Sequence, residues 1–137
     1  MADCKGQPSA HATDRCSDAV ELALEIGVAT IEVLQEPGFL DNVKARGDQL
    51  IDALREMQQL DQALLHVRGR GLMVATEFAT AERAQAIVDH CFREHNVILM
   101  IAGTFRRVIR WSPPLIVTQA EIDEALSAFS SAIRATG

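Results

Sequence analysis

The chain has 137 residues, the size of one domain, and its 48% hydrophobic and 23% charged residues are typical of a soluble globular protein. Its formal net charge of −6 argues against nucleic acid and anionic membranes as main partners, because both need a basic surface. The sequence contains no apolar run of the ~18 residues that a membrane span needs, no secretory signal pattern and only three cysteines, so we expect a cytoplasmic protein without a disulfide framework.

The N-terminal segment has no periodic pattern. Residues 1–17 are small and polar, so we expect an irregular or non-native segment there and one domain over residues 18–137. Cys4, His11 and Cys16 match no zinc-ligand spacing, and we predict no metal site.

Two amphipathic helices are predicted next. The first begins near Asp18, which has capping-box spacing to Glu21, and it ends before Pro37 and Gly38. This helix is apolar over more than half of its circumference, which predicts that a large neighbour covers it. The second helix follows, and its predicted buried stripe consists of Leu40, Val43, Gly47, Leu50, Leu54 and Met57.

Three short strands are predicted, over residues 72–78, 97–101 and 108–112. The glycine-rich stretch VRGRG, residues 67–71, is predicted to form a turn or a bulge before the first strand. Its arginines suggest phosphate binding, but the stretch lacks the P-loop pattern and precedes a strand. A geometric role for its glycines is therefore favoured.

Two further helices complete the predicted fold. Thr80 can cap the helix after the first strand, and Thr118 with Glu121 forms a capping box before the last helix. The predicted buried stripes are Ala84, Ile87, Val88, Cys91 and Phe92 in the one and Ile122, Leu126, Phe129 and Ile133 in the other. The predicted fold class is α/β of the α+β kind: a small sheet of about three strands with helices packed on one face.

Few side chains suggest catalysis. Cys91 faces the predicted core, where a thiol is inert, and His95 suits the C-terminal end of its helix. His66 has no evident partner, and no Ser-His-Asp or Cys-His arrangement can be assembled. The chain has two lysines, Lys5 in the N-terminal segment and Lys44 on the polar side of a helix. We therefore name no catalytic residue.

Arg110 stands in the apolar stretch VIRWSPPLIV, residues 108–117. Because strand residues alternate between faces, Ile109 and Trp111 share one face and Arg110 projects from the other. A guanidinium fixed before a proline pair suits bidentate binding of a carboxylate. From the residues alone, the favoured interpretation is an exposed arginine or one paired with Glu77.

Four segments follow one another along residues 29–135: ATIEVLQEPGFLDNVKARGDQLIDALREM, VRGRGLMVATEF, NVILM and GTFRRVIRWSPPLIVTQAEIDEAL. Together they resemble the C-terminal domain of class III pyridoxal-phosphate aminotransferases, which include 4-aminobutyrate, ornithine and acetylornithine aminotransferases. VRGRGLMVATEF and VIRWSPPLIVT are the most specific pieces. Residues 1–27 depart from the family pattern, which has a Gly-Asn-Pro stretch before this helix.

The resemblance implies a fold-type I architecture, in which a small α/β domain closes over a large pyridoxal-phosphate domain, and this chain is similar to the small one. In ornithine and 4-aminobutyrate aminotransferases, the arginine at the position of Arg110 binds a substrate carboxylate. The resemblance therefore favours substrate binding for Arg110. It also implies a missing large domain or a second subunit as partner, and a homo-oligomer, because the family works as dimers.

The resemblance also implies that the catalytic residues of the family are missing from this chain. The family's Schiff-base lysine, the acidic residue facing the pyridine nitrogen and the phosphate-binding residues belong to the large domain. We therefore expect no pyridoxal phosphate bound covalently to this chain and no catalysis by it alone. The parent reaction would transfer an amino group from an ω-amino acid, such as 4-aminobutyrate, to a 2-oxo acid.

Two functional hypotheses remain open. The first is a domain or fragment of a class III aminotransferase that contributes a substrate-binding arginine. The alternative is a stand-alone, non-catalytic module that binds a small carboxylate through Arg110 or a protein partner through its apolar first helix. Nucleic-acid and metal binding are disfavoured by the acidic charge and by the missing ligand spacing.

Overall fold

The computed structural model describes residues 10–137, and their side chains from residue 18 onward. It contains two compact units, one that reaches Leu40 and one from Asp41 to Gly137. The predicted boundary of a domain at residue 18 stays a prediction. Cys4 lies outside the described residues, as do the side chains of His11 and Cys16. The prediction that these three residues form no metal site therefore stays a prediction.

The first unit contains helix α1, Ala10–Leu34, and the turn at Pro37 and Gly38. The helix begins before the predicted start at Asp18, so the part of the N-terminal segment from Ala10 onward is helical and not irregular. No glycine or proline occurs between Ala10 and Ser17, so nothing in the chain stops the helix there. Gly38 adopts φ 84°, a left-handed conformation that ends the segment at little steric cost.

The second unit contains a mixed set of helices and strands. They are α2 (Phe39–Leu60, which begins at the boundary), β1 (Leu64–Arg70), β2 (Met73–Phe78), α3 (Ala81–His95), β3 (Met100–Ala102), β4 (Val108–Trp111) and α4 (Gln119–Ala135). The predicted α+β fold class is confirmed. None of the helices in residues 10–137 combines the length and the apolar content needed to cross a membrane.

The sheet has four antiparallel strands in the order β1-β2-β4-β3, where three were predicted. The additional strand is β1, which contains most of the VRGRG stretch predicted as a turn; the turn itself lies at Gly71 and Leu72. β1 lacks a clear apolar alternation, because it is an edge strand whose residues are mostly exposed. β3 is shorter than predicted, since residues 97–99 lie in the loop before it.

The core lies between one face of the sheet and the helices. Phe129 of α4 packs edge to face against Trp111 of β4 and Phe78 of β2, with ring centroids 4.8 and 6.2 Å away. The indole Nε1 of Trp111 donates a hydrogen bond to Oγ1 of Thr76, a buried hydroxyl on the same face. This packing directs the side chains of Ile109 and Trp111 inward and leaves the opposite face of β4 open.

The helical stripes are confirmed in their central positions. The buried residues are Gly47, Leu50, Ile51 and Leu54 in α2, Ala84, Ile87 and Cys91 in α3, and Ile122, Leu126, Ala128, Phe129 and Ala132 in α4. Two predicted core residues are exposed instead, Leu40 at 59% and Phe92 at 56%. Both lie near an end of their helix.

The predicted caps are present. The Thr80 side chain accepts a hydrogen bond from the backbone of Arg83, and Thr118 with Glu121 completes the reciprocal capping box of α4. Two hydrogen bonds from Thr118 lower the pKa of the Glu121 carboxyl, because they stabilise its charged form.

Candidate functional site

The face of the sheet opposite the core carries the candidate site, which we call the open face. Its residues are His66, Arg68 and Arg70 of β1, Met73, Ala75 and Glu77 of β2, Met100 and Ala102 of β3, and Val108 and Arg110 of β4. The strand register places Arg68, Ala75, Arg110 and Met100 in one row across the four strands. An arginine therefore flanks Ala75 on each side.

A cavity of about 390 Å³ lies on the open face. Its lining is mostly apolar and includes Met73, Ala75 and Val108, while Arg68, Arg70 and Arg110 supply the charges. Ala75 has the smallest side chain in its row, which leaves room between the strands that carry the arginines. The cavity therefore combines an apolar floor with arginine side chains from two different strands.

Arg110 occupies the predicted position. Its side chain is exposed on the open face, and its Nε donates a hydrogen bond to Oγ of Ser112 at 3.2 Å. This bond occupies Nε and leaves both Nη groups available, the pair that can contact the two oxygens of a carboxylate. Arg110 also lines a second concavity of about 380 Å³, formed by the loop before β3, Pro113 and Pro114, and the first turns of α4.

The alternative pairing of Arg110 with Glu77 is wrong. Glu77 instead accepts hydrogen bonds from Arg68 at 2.9 Å and from Arg107 at 3.2 Å, one to each carboxylate oxygen. The hydrogen bond from Arg68 lowers the pKa of the Glu77 carboxyl, so this group stays ionised and holds both arginines. Glu77 is thus satisfied without Arg110.

Two further groups of the described residues, Arg83 and Cys91, are engaged or buried. Arg83 donates to Asp61 at 3.1 Å and to the carbonyl oxygen of Ile133 at 2.8 Å, which ties α3 to the end of the chain. Burial raises the pKa of the Cys91 thiol to about 11, which suppresses the reactive thiolate. Residues 18–137 contain no group of three side chains placed to bind a metal ion.

Pyridoxal phosphate binds its enzymes through an imine with a lysine. The residues around Arg110 could hold it covalently only if a lysine lay beside them. Lys44 is exposed on α2 and lines neither cavity beside Arg110. Lys5 lies outside the described residues. The described residues therefore do not fit a covalently bound pyridoxal phosphate.

Sequence reasoning named Arg110 as a candidate but not two neighbours of the same charge. Arg68 and Arg70 were considered only as part of a basic turn, whereas the structure places both on the walls of the cavity that Arg110 lines. The signal was present as the alternation of His66, Arg68 and Arg70, which puts three polar residues on one face of an extended segment.

Comparisons with known proteins point to one family. The family model described as "Aminotransferase class-III" matches residues 8–133. The L-lysine-epsilon aminotransferase of Amycolatopsis lactamdurans is 32% identical over 108 residues, which are 78% of this chain and 24% of that protein. An acetylornithine aminotransferase of Caldanaerobacter subterraneus is 36% identical over 105 residues, 77% of this chain and 26% of the relative.

Solved structures show the same likeness. A lysine aminotransferase from M. tuberculosis matches with a TM-score of 0.72 and 31% identity, over 79% of this chain and 24% of that one. An N-acetylornithine aminotransferase from Stenotrophomonas maltophilia matches with a TM-score of 0.66 and 30% identity, over 74% and 28%. The chain spans about a quarter of the length of the curated relatives it matches.

Proposed function

Because the chain belongs to the class III aminotransferase family, we propose that it corresponds to the small C-terminal domain of a pyridoxal-phosphate-dependent aminotransferase. The parent enzyme would transfer an amino group from an ω-amino acid to a 2-oxo acid. The names of the relatives support a donor of this kind, since they refer to lysine, ornithine and acetylornithine. 4-Aminobutyrate remains our predicted donor on the strength of the sequence resemblance alone.

Within that enzyme, we propose that Arg110 binds a substrate carboxylate. The observation that carries this role is the geometry of Arg110, whose Nε donates a hydrogen bond to Oγ of Ser112 and leaves both Nη groups available, while the side chain lines a cavity. Among residues 18–137, no carboxylate lies within ion-pair distance of Arg110. A guanidinium presented in this way matches the two oxygens of a carboxylate in a planar, bidentate contact.

The charge distribution supports the same role. The chain as a whole carries a formal charge of −6, yet the open face has Arg68, Arg70 and Arg110 against a single carboxylate, Glu77. An anionic ligand is therefore attracted to this face of an otherwise acidic protein. The apolar floor strengthens a contact with Arg110, because a charge pair that is partly removed from water is screened less.

The catalytic chemistry is assigned to the rest of the enzyme. Pyridoxal phosphate acts as an electron sink when it is bound, and the described residues offer no lysine beside Arg110 to hold it. We therefore propose that this chain alone is inactive and that its partner is a large pyridoxal-phosphate domain or a second subunit. Its own contribution would be to bind and orient the substrate carboxylate.

The role of Arg110 is tested by ligand binding to the 137-residue chain. Butyrate is titrated into the wild type and Arg110→Gln, and chemical-shift changes of open-face amides are followed by NMR. Loss of a charge-assisted contact predicts a weakening of roughly tenfold. Arg55→Gln removes the same charge from α2, where Arg55 lies 3.7 Å from Asp52, and should leave binding unchanged. Equal binding by Arg110→Gln and the wild type would contradict the proposal.

The catalytic part of the proposal is tested separately. The purified chain is incubated with pyridoxal phosphate, 4-aminobutyrate and a 2-oxo acid, and formation of the new amino acid is followed by chromatography. We expect no product above a control that lacks protein. Product that depends on the chain, and that disappears in Lys44→Ala or Lys5→Ala, would refute the assignment of catalysis to another domain.

A further inference from the structure

We propose that helix α1 is a self-association surface, against which a second copy of this chain packs its own α1 in the antiparallel direction. The surface, which we call the α1 face, carries six large aliphatic side chains: Val20, Leu22, Leu24, Ile26, Ile31 and Val33. The proposal concerns the chain itself and is independent of the role of Arg110.

The α1 face is exposed to a degree that is unusual for apolar residues of a stable monomer. The exposed fractions of its six large residues range from 44% for Val33 to 66% for Leu24. Monomeric proteins rarely leave a contiguous apolar surface of this kind open to water. A single helix is also only marginally stable in water unless its apolar side packs against another element. Helix α1 therefore needs a partner along this face.

The acidic side chains of α1 lie on the other side of the helix. Because an α-helix turns by about 100° per residue, Asp18, Glu21, Glu25 and Glu32 project within one narrow arc. Directly across the helix from this arc lies a row of small residues: Ala19, Ala23, Gly27 and Thr30. One ridge of large residues flanks the row on each side, formed by Leu22, Ile26 and Val33 and by Val20, Leu24 and Ile31. The α1 face is thus a shallow groove between two apolar ridges.

The one polar side chain in the row of small residues forms its hydrogen bond within the helix. Oγ1 of Thr30 donates to the carbonyl oxygen of Ile26 at 2.7 Å. A hydroxyl that is already bonded enters an apolar interface without leaving an unsatisfied donor. The row therefore allows the backbone of another helix to approach closely without burying an unpaired polar group.

The two ridges favour a second copy of α1 as the partner. Residues 1–9 contain a single large apolar side chain, Met1, and are too polar to cover the face. In an antiparallel pair of helices around a two-fold axis, each ridge meets the same ridge of the other copy. The acidic arcs of the two helices then point outward, so their like charges stay apart and solvated. The opposed helix dipoles also attract each other in this direction.

The area that such a pair buries is sufficient for a specific contact. Complete burial of a Val, Leu or Ile side chain removes roughly 60–120 Å² of apolar surface. The partly exposed ridges of both copies, together with the rows of small residues, give a total of roughly 1,000 Å², which is the lower bound for a specific interface. An interface of this size predicts a dimer whose population depends on protein concentration.

The experiment measures the mass of the 137-residue chain by sedimentation equilibrium over about 1–100 µM. The wild type is compared with Ala23→Glu, which places a charge in the row of small residues. Ala29→Glu is the matched control, since it makes the same change on the same helix beside Glu25 in the acidic arc. We expect a monomer–dimer equilibrium for the wild type and for Ala29→Glu. The dissociation constant should rise roughly a hundredfold in Ala23→Glu, because an unpaired charge would be buried.

The direction of pairing is tested with a single cysteine on α1. Ala19→Cys is introduced into a chain with Cys4→Ser and Cys16→Ser, and the dimer is exposed to a mild oxidant. In an antiparallel pair centred on the row of small residues, the two copies of residue 19 lie near opposite ends of the interface, so we expect no disulfide between the copies. Rapid formation of that disulfide would overturn the antiparallel arrangement.

The outcomes are distinct from those that test Arg110. A wild type that stays monomeric over this range, or that forms aggregates of no defined size, refutes self-association and leaves the butyrate titration as it stands. Dimers that persist in Ala23→Glu, or that are lost equally in Ala29→Glu, would show that the α1 face is not the interface. The fluorescence of Trp111, the only tryptophan, reports whether each variant keeps the core of the second unit.

Discussion

Replacement of Gly47 by alanine tests the contact between α2 and the β1–β2 hairpin. The added Cβ would lie 2.5 Å from both the carbonyl carbon and the carbonyl oxygen of Gly71. These are backbone atoms, so no side-chain rotation can relieve the overlap, and the helix or the turn must shift. Because such overpacking costs about 3 kcal/mol and the gain in helix propensity returns about 1 kcal/mol, we expect a net loss of about 2 kcal/mol.

The measurement is thermal unfolding followed by the fluorescence of Trp111, which is buried in the core. A loss of about 2 kcal/mol lowers the Tm of a domain of this size by about 8–16 °C. Gly27→Ala is the matched control, because a Cβ at that helical glycine meets nothing within 4 Å. An unchanged or higher Tm for Gly47→Ala would show that the hairpin does not press against α2 as described.

Two further predictions concern the capping box of α4 and the buried thiol. Thr118→Ala should lower the free energy of unfolding by about 1 kcal/mol in urea denaturation. Because the fold lowers the pKa of the Glu121 carboxyl, this group stabilises the fold above its ordinary pKa of 4.5, and the stabilisation is lost as the pH falls toward the pKa in the folded chain. Glu121→Gln should therefore flatten the dependence of the free energy of unfolding on acid pH. An unchanged profile would contradict this prediction. The buried thiol is tested in a variant with Cys4→Ser and Cys16→Ser, in which Cys91 should react with a thiol reagent at pH 8 only after unfolding. The side chain is buried, and a pKa of about 11 leaves roughly 0.1% of it as thiolate at this pH. Rapid labelling of the native chain would refute this prediction.

Local signals in the sequence were sufficient for the helices of the second unit and for the facing of β4. The Thr118 and Glu121 capping box, the Thr80 cap and the helical stripes depend on residues three or four positions apart. The alternation of Ile109, Arg110 and Trp111 likewise depends on neighbours along one strand. Such patterns are visible in the sequence because the interacting groups are close together in the chain.

The composition of the cavity was decided only by the tertiary structure. Strand order β1-β2-β4-β3 brings Arg68 and Arg70 to the face that carries Arg110, and it brings Arg107 rather than Arg110 to Glu77. The sequence shows none of these neighbours, because β4 is separated from β2 by a helix and a strand along the chain. Pairing between distant strands is selected by burial of the core face, and the open face acquires its charges as a consequence of that pairing.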